Sequence, residues 1–307
     1  MATKTLKHVI VGDLHCDRKR KVTYGDSSIW DSQVFNILQD IIKTEKPDLL
    51  VLLGDIFDSY KPDSISVTRL ISILAQVKNV VIVEGNHDRP KNSDLDYVFQ
   101  HLISLDNITT ASANTVTSLP FNQYALGWHS NQALFEESLE KLLKNDLIDS
   151  FVYLHCNTDD FGNQNDNYIS EELREKLTAA GATIFTGHDH SFKQVGSLIN
   201  LGSIIPNTIA ELGPKYYWSS TKGLVETNHG ITGDITDPKA KVYLLREEPA
   251  LTDINKAYYV KPTKEVSKED LTLQSKNLGI NIFEDLKTEA IANGFDEEFI
   301  NDLFKEL

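Results

Sequence analysis

The chain has 307 residues, 40% hydrophobic and 24% charged, with a formal net charge of -15. That length supports one large domain with a substantial core plus a smaller appendage. The acidic balance speaks against a protein that coats DNA nonspecifically, because phosphate neutralisation needs Lys and Arg. No run of about 18 apolar residues is present, so no membrane span is expected. The polar start lacks the apolar stretch of a secretory signal. Two cysteines, Cys16 and Cys156, cannot build a disulfide framework. A reduced, cytoplasmic protein is the expectation.

Residues 9–11 form a short β-branched run that ends at Gly12. Residues 29–44 place Val34, Ile37, Leu38 and Ile41 at helical spacing. An apolar strand over 48–53 ends at Gly54, a helix is predicted over 67–77, and a strand over 80–83 runs into Glu84-Gly85. Such alternation predicts parallel strands with crossover helices, an α/β class. The second half repeats the theme with helices over 135–143 and 171–180. Its strands are expected over 151–154, 183–185, 194–201 and 242–245. Beyond about residue 253 the strand signals fade, which divides the chain into a catalytic domain over 1–252 and a linker with a helical segment over 253–307. Two short amphipathic helices are predicted there, over 281–292 and 296–307, either packed on the parent domain or docking a partner.

The strand ends carry the chemistry. In order they give Asp13-Leu14-His15, Asp55-Ile56-Phe57-Asp58, Asn86-His87-Asp88, His155, and His188-Asp189-His190. Five of the nine histidines lie in these loops; the others are His8, His101, His129 and His229. One such loop is ordinary turn chemistry. Five, all at the C-terminal ends of predicted strands, mark the edge of an α/β sheet where ligands bind. Asp, Asn and His together suit Mn²⁺, Fe²⁺, Zn²⁺ or a mixed pair, and no cysteine set of the structural-zinc kind is present. One bridging carboxylate would hold two ions roughly 3.5–4 Å apart, able to polarise a phosphoryl group and activate water.

This series of blocks resembles the calcineurin-like metallophosphoesterases over roughly residues 7–205. The resemblance implies a four-layer fold, two β-sheets sandwiched between helices, with a small C-terminal helical appendage. It implies one divalent ion on Asp13, His15, Asp55 and His190 and another on Asp55, Asn86, His155 and His188, with Asp55 bridging. Mn²⁺ is the first choice, ahead of Fe²⁺, Zn²⁺, Mg²⁺ or Ni²⁺. His87 would stabilise the transition state or protonate the leaving oxygen, and Asp88 would orient His87. Within the family the chain looks like SbcD-type DNA repair nucleases and their phage counterparts. That likeness rests on residues 54–58, Lys61-Pro62 and Asn200-Leu201-Gly202-Ser203. Asp58 stands where archaeal and eukaryotic members have a second catalytic histidine, as in bacterial SbcD proteins. The same likeness implies DNA as substrate, an SbcC-like ATPase docking on the C-terminal helices, and a homodimer.

Arg18, Lys19, Arg20 and Lys21 follow the first block, and Arg89 and Lys91 follow the third. Arg18, Lys19, Arg20 and Arg89 are the candidate contacts to a polyanionic substrate, with a solvated charged face as the alternative. The serious alternative activity is a phosphodiesterase for cyclic or dinucleotide substrates, which the acidic charge suits. A protein Ser/Thr phosphatase is disfavoured, since its phosphate-clamping Arg has no counterpart at Ser59. A non-enzymatic scaffold subunit of an ATPase–nuclease complex is disfavoured because no expected ligand is missing. Cys16 and Cys156 are read as packing residues, Trp128-His129 as a core Trp with a surface His or a groove wall. Tyr216, Tyr217 and Trp218 are read as a strand with a buried face or an aromatic cluster at the site.

Overall fold

A computed structural model describes the protein at residues 6–90, 102, 105–113, 115–158, 167–247, 249–250, 253 and 255–261. The helices expected over 281–292 and 296–307, and also Lys91 and His101, lie outside the described residues.

The continuous apolar strands arise because each is covered on both faces. In β1 (His8–Val11), β2 (Leu49–Leu52) and β3 (Asn79–Val83), successive side chains point to opposite sides of the pleat. Val9, Val11, Leu50, Leu52, Val80 and Ile82 face one apolar cluster, shared with α2 (Gln33–Glu45) and α3 (Ser64–Leu74). Ile10, Leu49, Val51, Val81 and Val83 face another, where they meet Tyr153 and Phe185 of the second sheet. Strands β7 (Ser150–His155) and β8 (Ala182–Gly187) repeat the pattern. Val152, Leu154 and Ile184 pack with α4 (Gln132–Leu142) and α5 (Glu171–Ala179). The result is four layers, helix–sheet–sheet–helix, as the resemblance implied, where periodicity alone gave an α/β alternation.

The first sheet runs β12-β11-β1-β2-β3-β4, with β4 (Ile108–Ala111), β11 (Tyr216–Ser219) and β12 (Gly223–Glu226). The second runs β5-β6-β7-β8-β10-β9, with β5 (Thr117–Leu119), β6 (Gln123–Leu126), β9 (Lys193–Val195) and β10 (Leu198–Asn200). Strands β1 to β4 are mutually parallel, as are β6, β7, β8 and β10. All the chemistry-bearing loops therefore leave at matching strand ends.

Local chemistry sets the helix ends. Asp63, Asn131 and Ser170 cap α3, α4 and α5 by accepting a backbone N–H with their side chains. The helix expected over 29–44 is two, α1 (Ser27–Asp31) and α2, separated at Ser32. The strand expected over 194–201 is a hairpin of β9 and β10. Strand signals do not end near residue 253: β15 (Ala257–Val260) pairs with β14 (Val242–Leu245), which also pairs with β13 (Ile231–Thr232), in a small parallel sheet. Tyr216 to Trp218 form β11, whose faces are taken up by packing. Tyr217 is buried and donates to Glu45 at 2.7 Å, and Trp218 packs on Phe151 and Phe185 between the sheets. No helix among the described residues is long and apolar enough to cross a membrane.

Candidate metal centre

Each strand end presents its loop to one place. β1 leads to Asp13 and His15, β2 to Asp55, β3 to Asn86 and His87, β7 ends on His155, and β8 leads to His188 and His190. The approach is so close that glycine is required where the loops touch. Gly54 has φ +91°, and a Cβ there would collide with the His155 ring. Of the seven described non-glycine residues with positive φ, three are candidate ligands: His15, Asp55 and His188. Backbone strain of about 1–3 kcal/mol per residue is held where the surrounding structure overdetermines it, characteristically at functional sites.

Two groups of ligand atoms result. In one, Asn86 Oδ1 lies 3.1 Å from His155 Nε2 and 3.0 Å from His188 Nδ1, and Asp55 Oδ1 lies 3.3 Å from His155 Nε2. In the other, His15 Nε2 and His190 Nε2 face each other at 2.9 Å, with Asp55 Oδ2 3.8 Å from His15. Asp55 thus offers one oxygen to each side, the position a bridging ligand needs. Asp13 is buried beside them, 3.6 Å from His155 Nδ1, with both oxygens taking the His188 N–H at 3.0 and 3.1 Å.

The outer nitrogens fix what the inner ones present. His155 Nδ1 donates to the Leu53 carbonyl at 2.7 Å, which leaves the Nε2 lone pair facing inward in the neutral ring. His190 Nδ1 lies 3.3 Å from Glu211 Oε1. His15 Nδ1 lies 3.2 Å from Asp58 Oδ1, a buried nitrogen without a well-directed hydrogen bond. With carboxylates near both outer nitrogens, the two inner nitrogens stand 2.9 Å apart, a spacing that one shared proton or one cation can bridge. Metal–ligand bonds of about 2.1 Å at right angles put neighbouring donor atoms about 3 Å apart. The observed spacings match, and the donor set fits a pair of divalent ions.

The electrostatics agree. Burial would push the Asp55 carboxyl up, but the imidazoles of His155, His15 and His87 hold it far below the usual carboxylate range. Burial lowers His155, and Asp55 and Asp13 outweigh it, raising the ring to about 9. Burial and the neighbouring His155 take His188 down to about 4. The carboxylates that favour positive charge on His155 would equally favour a cation among these donor atoms.

The remaining expected residues divide. His87 is exposed at the edge of the cluster, its backbone N–H on Asp55 Oδ1 at 3.0 Å and its Nδ1 on the Asp58 carbonyl at 2.9 Å. Asp88 does not reach the His87 ring. Its carboxylate takes the N–H groups of Gly85, Phe57 and Ile56 at 2.9, 3.0 and 3.3 Å, tying the second and third loops together. Burial and Asp55 raise its pKa. Arg18 is partly exposed and donates to Asp58 Oδ1 at 3.2 Å. Lys19 points to solvent and pairs with Asp63 at 3.0 Å. Arg20 is no substrate contact: it is buried, bonded to Asn207 and to the Arg18 carbonyl and stacked over Trp30. Arg89 lies 3.7 Å from Glu84 and close enough to His129 to lower its pKa further, after burial. His129 is buried and Trp128 half-buried, the reverse of a core Trp with a surface His. Cys16 and Cys156 are buried, and desolvation pushes both thiols up, Cys156 to about 12, so neither is a nucleophile.

Sequence reasoning missed Glu211, and it gave no contact to the Asp58 side chain or to Lys215. Burial opposes ionisation of Glu211, but His190, the Asn207 N–H and Lys215 bring its carboxyl down to about 2. Asp58 lay inside a recognised motif. Glu211 is one acid among the 45 of the chain, with no spacing to mark it.

The chain matches the calcineurin-like phosphoesterase family over residues 6–192. It belongs to that family, whose members hydrolyse phosphoesters and bind two divalent metals. No curated protein matches it. Among solved structures it is similar to TT1561 of Thermus thermophilus, with 12% identity over 73% of this chain and 99% of that one and a TM-score of 0.44. It is also similar to GAP50, the anchor in the inner membrane complex of Plasmodium, with 14% identity over 72% and 83% and a TM-score of 0.43.

Proposed function

We propose that this protein is a two-metal phosphodiesterase acting on DNA, a nuclease of the SbcD-like type, with Mn²⁺ as the working metal. The observation that carries this reading is the openness of the centre at His87. The ring stands exposed beside the buried ligand cluster, so an internal phosphate of a polymer can reach it without its flanking nucleotides entering a pocket. Arg18 and Arg89 are each partly exposed, Arg18 on Asp58 Oδ1 at 3.2 Å and Arg89 3.7 Å from Glu84. Both can neutralise backbone phosphates, and half-buried Trp128 is the aromatic on which a base could stack.

Bound divalent ions supply charge neutralisation at the phosphoryl group and activation of water. Asp55 would serve both ions, and His155, His188, His190, His15, Asn86 and Asp13 would hold the rest of the cage. The Asp58 carbonyl accepts the His87 Nδ1–H and so aims Nε2 at the site; as imidazolium, His87 would give its Nε2 proton to the leaving oxygen and end as the neutral ring with Nδ1–H still on that carbonyl. Arg18, steered by Asp58, orients the diester. An ATPase docking on residues 281–307 and self-association into a dimer belong to the same proposal. Full activity after removal of residues 265–307 would count against the docking.

The test is hydrolysis by the Mn²⁺-loaded protein, beside a His87→Ala variant, of end-labelled single- and double-stranded DNA and of bis-p-nitrophenyl phosphate. Cleavage of DNA by the wild type and not by the variant supports the nuclease. Cleavage of the small diester with DNA untouched favours the second reading, a cyclic or dinucleotide phosphodiesterase, which the net charge of -15 accommodates.

A further inference from the structure

Glu211 closes a 3-10 turn (Ile209–Glu211) in the loop that follows β10. Its two carboxylate oxygens are fully engaged. Oε1 lies 3.3 Å from His190 Nδ1 and accepts from Thr208 Oγ1 at 3.2 Å. Oε2 accepts from the Asn207 N–H at 3.0 Å and from Ser203 Oγ at 3.5 Å, with Lys215 Nζ at 3.9 Å. Every partner is a donor or a cation, so the group is held as an anion and cannot rotate away. Lys215 is itself buried and donates to the His190 carbonyl at 2.8 Å and to Ser203 Oγ at 3.0 Å. His190 is therefore gripped by its ring and by its backbone from the same loop. That loop is in turn pinned by Arg20 on Asn207 and by Trp30 Nε1 on the Pro206 carbonyl at 3.3 Å.

We propose that Glu211 is a positioning residue for one of the two metal positions: with Lys215 as its counterion, it holds the His190 proton on Nδ1 and aims Nε2 at the site. The contrast within the centre gives the proposal its content. His155 Nδ1 donates to a neutral backbone carbonyl at 2.7 Å, with the Asp13 carboxylate farther off at 3.6 Å, whereas the nearest acceptor to His190 Nδ1 is the Glu211 carboxylate at 3.3 Å. A carboxylate behind a ligating imidazole orients the ring and raises its basicity. Loss of Glu211 thus falls on the position His190 serves and spares the one built from Asn86, His155 and His188. The buried Arg20, whose charge does not face substrate, acquires a purpose as the anchor of this loop.

The proposal rests on His190 as a ligand, so the experiment separates the two. The metal-stripped, full-length protein is titrated calorimetrically with Mn²⁺ alone, as wild type, Glu211→Gln and His190→Ala. In Glu211→Gln one class of binding should weaken roughly 10–100-fold while the other stays within about threefold. Equal weakening of both classes, or of neither, overturns the positioning role. Wild-type binding by His190→Ala overturns the ligand reading beneath it. Should Glu211→Gln fail to melt cooperatively, the wild type decides: ring-nitrogen NMR of the Zn²⁺-loaded protein should show His190 with its proton on Nδ1, and a proton on Nε2 refutes the proposal.

Discussion

The two sheets contribute unequally to one centre. The first supplies the oxygen donors Asp13, Asp55 and Asn86, together with His15 and the exposed His87. The second supplies imidazoles only: His155, His188 and His190. Neither set is complete. The group of Asp55, His155 and His188 draws on both sheets, and the proton of His155 is fixed by Leu53, at the end of a first-sheet strand. An anionic half and a basic half are keyed together, and the apolar layer between the sheets is what brings them into register.

The hardest way to break that arrangement is at the residue both groups share. Asp55→Asn should abolish hydrolysis of bis-p-nitrophenyl phosphate, a loss beyond the roughly 10²–10⁴-fold that removal of a general acid costs. It should also remove both equivalents of bound Mn²⁺. Retention of one equivalent, read by metal analysis after gel filtration, would show that the halves hold their ions independently.

The packing between the sheets can be weakened without touching a ligand. Phe185 is fully buried there against Phe151, Tyr153 and Trp218. Phe185→Ala should cost about 3–5 kcal/mol in urea unfolding. If metal affinity holds while stability falls by that amount, the loops at the centre keep their own register.

The same layer contains a pH-dependent element. Burial lowers His8 from 6.5 to about 4, and its Nε2 meets the Tyr153 hydroxyl at 2.9 Å. The unfolded chain takes up the proton below about pH 6.5 and the folded protein only below about pH 4. Stability is therefore untouched by this group above pH 6.5 and declines as pH falls through that window, by up to about 3 kcal/mol. His8→Gln should fall by about that much less between pH 7 and pH 4 in parallel melts. Identical pH profiles would contradict the assignment.

The smallest effect is expected at the rim. Arg18→Ala should raise KM for DNA roughly threefold to tenfold at unchanged kcat, the pattern of lost uniform binding. A fall in kcat instead would place Arg18 in the transition state, acting through Asp58.

Much of the centre was legible because its signals are local. A strand that ends on Gly-Asp or Gly-Asn-His states its chemistry within a few residues, and the order of the blocks carries the family. The helix-facing and sheet-facing positions of β1, β2 and β3 follow from a period of two. What was not legible depended on residues far apart in the chain. The run of four basic residues gave no hint that Arg18 would meet Asp58 while Arg20, two positions on, turned inward to Asn207. Nothing local showed that His87 would rest on the Asp58 carbonyl and leave Asp88 to bind loop amides. β4, β5, β6 and β15 were missed because short strands are stabilised by neighbours more than by their own composition.

The sequence by itself determined the α/β class of the fold, the candidate ligand types and the loops that carry them, since strand periodicity and strand-end motifs are properties of adjacent residues. Only the tertiary structure decided which nitrogen each histidine presents and which carboxylate stands behind it. Those choices are made by hydrogen bonds from loops distant in sequence, as when Glu211 meets His190 and Leu53 meets His155, and chain folding alone brings such partners together.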